Sequence, residues 1–207
     1  MPVHTWKVET VKLTEEEMSM YTTLNKIKCW LPCSTGWRTL IESLNKAAPD
    51  DEPLHVLDIL KSNGLEDAVW ALKAFSPDQC RMLAIGAARQ LQHVWSDAET
   101  LLDMAEAYVI KKPEAPSLIE LTKQITLARY KAESDTRTDA EKTAQRAMYY
   151  SLKTAMAMPT SISAMSGMAE SALLLVNYAG SLQDVPEYDP VGTFTKACIF
   201  VEERGVD

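Results

Sequence analysis

The chain has 207 residues, 46% of them apolar and 24% charged, a balance that excludes a disordered polymer and is enough for one substantial core. Its 21 basic and 29 acidic residues leave a net charge of −8, which opposes direct binding to nucleic acid phosphates unless a basic patch overrides the average, and the sequence contains no such patch. With only 7 glycines and 3 phenylalanines in a background of Ala, Leu, Met, Glu and Lys, the intrinsic preference is for helix over sheet.

Residues 2 to 13 alternate loosely around Trp6, Val8 and Thr10 and read as an extended arm across the helices, because a lone strand has nothing to pair with. Thr14-Glu15-Glu16-Glu17 is a capping box, from which a helix carrying Met18, Tyr21, Leu24 and Ile27 is expected to run to Trp30, where Pro32 stops it. After a tight turn at Cys33 to Gly36, Trp37, Leu40, Ile41 and Leu44 are spaced to face a core, and that helix should end before Pro49. Asp50-Asp51-Glu52-Pro53 is read as opening a short helix (Leu54, Leu57, Ile59, Leu60) that Asn63-Gly64 closes. A further short helix spans Leu65 to Phe75, with Val69, Trp70 and Leu72 inward.

The most legible stretch runs from Ser76 to Pro113. Ser76-Pro77-Asp78-Gln79 combines a hydroxyl cap, a proline at the first helical position and a glutamine that can return the bond, so a helix should run to about Trp95. Ser96-Asp97-Ala98-Glu99 repeats the device, and the next helix should end near Ile110 with Lys111 and Lys112 in its last turn. Leu83, Ala87, Leu91 and Val94 form one stripe and Leu101, Ala105 and Tyr108 or Val109 the facing one, while Ala84, Gly86, Ala87 and Ala88 would let two axes approach closely. Further helices are expected from about Ser117 to Glu133, marked by the stripe Leu118, Leu121, Ile125 and Ala128, from Thr138 to Pro159, and from Ser161 to Ala179, the last closed by Gly180. Pro186 and Pro190 then suggest an extended linker before an amphipathic helix around Phe194 to Glu203.

The expected fold is all-α: an irregular bundle or short array of nine or ten helices in a single domain over 1–207, with an arm (1–13), a helical body (14–180) and a linker plus terminal helix (181–207). No repeat period is evident. The N-terminal residues lack the pattern of a secretory signal and no window approaches the ~18 apolar residues of a membrane span, so a cytoplasmic protein with reduced cysteines is expected.

The run LEDAVWALKAF, followed by RMLAIGAARQLQHVWSDAETLLDMAEAYVIKKPEAPSLIELTKQI, resembles a loose group of alanine-rich helical proteins of bacteria and their phages, often labelled putative immunity proteins. The resemblance covers about residues 65–132 and rests on Ala84, Ala88, Arg89, His93, Ala105, Glu106 and Tyr108. It implies helical architecture and a bacterial or phage setting, and brings no catalytic residue with it.

Three sets of side chains are candidates for function. Cys29 and Cys33 with His55 and His93 are the one collection arguable as a zinc site, but the spacing is not that of a zinc knuckle and Pro32 lies inside it, so neither metal nor cofactor is expected. Arg89, His93, Glu99 and Glu106 can converge as a polar cluster, read first as a structural network and second as an acid–base site around His93. Glu15, Glu16 and Glu17 with Asp50, Asp51 and Glu52 form acidic rims suited to a basic protein surface. Phosphate loops, nucleophile elbows and paired-histidine motifs do not occur. The leading expectation is a non-enzymatic acidic protein-binding module, most concretely a phage-encoded inhibitor of a host defence or nucleic-acid-handling complex acting by steric and electrostatic occlusion. The alternatives are an enzyme near His93 and a homo-oligomer assembled through the hairpin that carries Met148, Met156, Met158, Met165 and Met168.

Overall fold

The computed structural model describes residues 19–92, 97–112, 114–133, 138–156 and 189–204. The arm, the Glu15 to Glu17 rim, His93 and the helix expected over 161–179 lie outside these residues. The architecture is all-α apart from one minimal ladder: β1 (Tyr21–Thr22) pairs antiparallel with β2 (Leu54–His55), Tyr21 opposite His55 and Thr22 opposite Leu54. Around it lie α1 (Leu24–Lys28), α2 (Ser34–Ser43), α3 (Val56–Asn63), α4 (Leu65–Trp70) with a 3-10 turn at Ala71–Ala74, α5 (Pro77–Arg89), α6 (Ala98–Val109), α7 (Leu118–Glu133), α8 (Asp139–Met156) and α9 (Pro190–Arg204).

The ladder corrects two expectations. The helix expected from Thr14 through Trp30 is broken within its described part, because residues 21–22 pair with 54–55 and Thr22 Oγ1 donates to the Ala74 carbonyl at 3.2 Å. Helix starts again only at α1, where the Thr23 hydroxyl accepts from Lys26 N. Leu54 belongs to the ladder too, so α3 begins at Val56, its first turn capped by His55 Nδ1 accepting from Leu57 N at 3.1 Å. Its end is as expected: Gly64 takes φ 86°, a left-handed backbone that favours glycine.

α5 is the axis of the molecule. Both bonds of its capping box form, Ser76 Oγ accepting from Gln79 N at 3.2 Å and Gln79 Oε1 from Ser76 N at 2.7 Å. Gln79 Nε2 also donates to the Ser19 carbonyl, which ties the entry of β1 to the start of α5. From Met82 to Ala88 every residue is buried, as expected of a helix with apolar or small residues on all faces. Its neighbours are α6, α8 and α9. The close approach to α9 needs Gly86, where a Cβ would sit 2.7 Å from Phe200 Cδ1 and 3.2 Å from the Ala197 carbonyl oxygen.

α5 ends at Arg89, about six residues before the expected Trp95, and Asp97 caps α6 without a side-chain bond. α7 follows the expected stripe, with Leu121, Ile125 and Ala128 buried, and Ser117 Oγ accepts from Glu120 N at its start. α9 is longer than expected. Pro190 is its first residue and Asp189 Oδ1 accepts from Gly192 N at 2.8 Å, so the proline read as linker is a helix start. One hydrophobic cluster extends from Met20 to Val201 and includes Phe194, Ala197 and Cys198 of α9.

Candidate functional site

The cluster expected around Arg89 forms, with a different membership. Glu106, buried in α6, is held from both sides: Arg89 Nη2 donates to Oε2 at 2.5 Å and Arg204 Nε to Oε1 at 2.6 Å. Arg89 also reaches Asp103 Oδ1 at 2.7 Å. Both guanidinium groups lie over the Phe200 ring, Arg89 at 5.4 Å and Arg204 at 4.9 Å from its centroid. Glu99 is exposed and is not among these partners; His93 lies outside the described residues. Burial pulls the Arg89 guanidinium down, but the bonds to Asp103 and Glu106 outweigh it and hold its pKa above the ordinary value. Both oxygens of this carboxylate are taken up by arginines from two other helices, so the arrangement fastens α5, α6 and α9 together. Asp103, Phe200 and Arg204 were not identified from sequence; the i, i+3 step from Asp103 to Glu106 was the available signal.

The acidic rim at 50–52 is partly neutralised by a neighbouring lysine. Lys46 Nζ binds Asp50 Oδ2 at 2.6 Å and Glu52 Oε2 at 2.5 Å, and Asp51 Oδ1 accepts from Thr23 Oγ1 at 3.3 Å. The Lys46 hydrogen bond holds the Asp50 carboxyl below its usual range, and the same contacts raise Lys46. Two of the three acids therefore share one lysine, and the loop presents less negative charge than its sequence.

Among the described residues no three His, Cys, Asp or Glu side chains converge as metal ligands. Cys33 Sγ instead caps α2, accepting from Gly36 N at 3.3 Å, and His55 Nε2 lies 2.5 Å from Glu202 Oε1. With Nδ1 accepting from Leu57 N, the Nε2 atom carries the proton and donates to Glu202. Cys80 and Cys198 are buried, whereas Cys29 and Cys33 are exposed. Burial pushes the Cys80 thiol up to about 12 and raises that of Cys198 as well.

A pocket of about 90 Å³ opens between α1, α2, α3 and α4. Ile27, Pro32, Trp37, Leu40, Ile59, Trp70 and Ala71 line it with apolar surface, and Cys33, Asn63 and Asp67 supply its polar atoms. Asn63 Nδ2 donates to the Gly36 carbonyl at 2.7 Å and to Asp67 Oδ2 at 2.8 Å, which fixes one wall. Gly36, expected in a turn, lies inside α2, where an added Cβ would sit 2.5 Å from Asp67 Oδ2 and 3.2 Å from Cys33 Sγ. Trp37 and Trp70 were read from sequence as core residues, yet both remain partly exposed at this opening. A glycine where helix propensity favours alanine was the one local sign of the close approach. A second cleft, of about 330 Å³, lies between α6 and α7, but it is open and lined as much by Asp97, Thr100 and Gln124 as by Leu101, Met104 and Leu127.

The described residues thus form an acidic helical array with an aromatic-walled pocket and a buried carboxylate held between two arginines. Comparison with protein-family models, with curated proteins and with solved structures yields no match. No helix among the described residues is long and apolar enough to cross a membrane.

Proposed function

We propose that this chain is a non-enzymatic protein-binding module that receives an apolar side chain of a protein partner between Trp37 and Trp70. The observation that carries the reading is the pocket itself: aromatic walls, an apolar interior and a fixed polar edge at Asn63 and Asp67, sized for one aliphatic group. Support comes also from the Arg89–Glu106–Arg204 cluster, whose groups are engaged with one another and hold helices together. The more concrete version, a phage-encoded modulator that occludes a host defence or nucleic-acid-handling complex, rests on the resemblance of residues 65–132 and on the net charge of −8.

The test compares capture from a bacterial lysate by the native chain and by Ala71→Leu, which adds bulk to the pocket lining. A partner retained by the native chain at moderate salt and lost with Ala71→Leu supports the reading. Equal retention by both places the binding surface elsewhere. If Asp51→Lys with Glu52→Lys leaves that retention unchanged, the electrostatic part of the occlusion is removed.

A further inference from the structure

We infer that the apolar group received by this pocket is Leu31 of a second copy of the chain, so that the protein pairs with itself about a two-fold axis near Pro32. The inference rests on the reading of the pocket as a side-chain receptor and names its occupant.

Leu31 is the least economical residue on the surface. It is 87% exposed, and its φ of 54° lies in the left-handed region that leucine rarely enters. At this position, just past the end of α1, glycine or asparagine would relieve the backbone. A strained backbone that pushes a large apolar side chain into water is a feature to be explained by what the side chain meets. Its neighbour Pro32 lines the pocket, so knob and hole lie side by side on one surface, and Leu31 does not occupy its own hole. Adjacent knob and hole are the requirement for an isologous pair, in which each copy gives what the other receives.

Charge fits the same arrangement. The run Cys29-Trp30-Leu31-Pro32-Cys33 carries no charge in a chain of net −8, which removes the repulsion where two copies would touch. Lys28, exposed on the knob side, and Glu66, exposed at the start of α4 on the hole side, make no ion pair among the described residues. Lys28 lies three residues before Leu31 and Glu66 one residue before the pocket-lining Asp67, so knob and hole have opposite charges beside them, and a two-fold would repeat that complementarity. Of the methionines considered from sequence as an assembly surface, Met148 is fully buried.

Sedimentation equilibrium of the full chain, followed into the millimolar range, decides the matter. The native chain should rise from 23.1 kDa toward twice that mass with concentration. Leu31→Gly should weaken pairing by at least about tenfold while melting at the same temperature or higher, because it removes the knob and the strain together. Should glycine loosen α1, Leu31→Asn keeps the left-handed backbone and serves as the second variant. Ala71→Leu should also stay monomeric. A native chain that remains at 23.1 kDa throughout, or a Leu31→Gly chain that pairs like the native one, overturns the inference. A monomeric native chain that still loses a lysate partner on Ala71→Leu would overturn self-pairing and leave the protein-binding reading standing. Pairing that survives Ala71→Leu but not Leu31→Gly would overturn the role of the pocket.

Discussion

Glu106 shows how one buried charge is made tolerable. Its two oxygens each accept a charged hydrogen bond, from Arg89 and from Arg204, and the guanidinium groups of both arginines lie over the Phe200 ring. Glu106→Gln should destabilise the protein by roughly 2 kcal/mol, since it removes the counter-charge of a half-buried Arg89 while keeping the shape of the side chain. Urea denaturation measures it. The cysteines make a second prediction at this scale. Cys29 and Cys33 should react with a thiol reagent in the native protein and Cys80 and Cys198 only after unfolding. The Cys80 thiol has an ordinary pKa of 9.0, raised to about 12 by burial, so above 9.0 the unfolded chain sheds a proton that the native chain keeps. Stability is then fully present below 9.0 and lost as pH climbs toward 12, by roughly 1 kcal/mol for each pH unit. A melting temperature that does not fall over this range, compared with a Cys80→Ala control, would contradict it.

At the scale of elements, glycines set the distances between helices. Gly86 lets α9 lie directly on α5, and Gly86→Ala forces its new methyl against Phe200 and the Ala197 carbonyl. In an exposed helix the same substitution would stabilise by roughly 1 kcal/mol. Here the backbone carbonyl cannot swing aside as a side-chain tip can, so a net loss of about 1–3 kcal/mol is expected from thermal denaturation. Local signals marked two helix starts well, Ser76 and Ser117 each placing an oxygen on an N–H of the first turn, whereas the same device at Asp189 was read as part of a linker. They failed where a distant strand competed. Thr22 and Leu54 pair although they stand 32 positions apart in the chain, and neither flank carries a sign of that pairing. The pocket was hidden for a related reason. Trp37 and Trp70 have core spacing on their own helices, and only the packing of α1, α2, α3 and α4 together leaves a space between them.

For the whole molecule, α9 acts as the closing strap. It reaches the N-terminal layer through Glu202 and His55 and the central layer through Arg204 and Glu106, and Gln90 Nε2 donates to the Thr193 carbonyl at 2.9 Å. Phe194, Ala197, Cys198 and Val201 of α9 are all fully or almost fully buried. A chain ending at residue 189 would therefore expose the Gly86 face of α5, leave Glu106 with one arginine and uncover apolar surface in the middle of the core. It should lose its cooperative thermal transition rather than melt at a slightly lower temperature, and a sharp melt retained by this truncation would show that the strap is dispensable.

The class of the fold and most helix boundaries could be read along the chain, because composition, caps, prolines and a 3.6-residue period act within a few residues of one another. Ser76 and Gln79, the stripe of α7 and the stop at Gly64 are of this kind. Only the tertiary structure decided which charges are free and which are consumed. Asp50 and Glu52 share Lys46, Glu106 is claimed by an arginine 98 positions away, and the opening beside Leu31 exists only once four helices are assembled. Electrostatic pairing and cavity shape depend on distances through space, and the order of residues along the chain does not carry them.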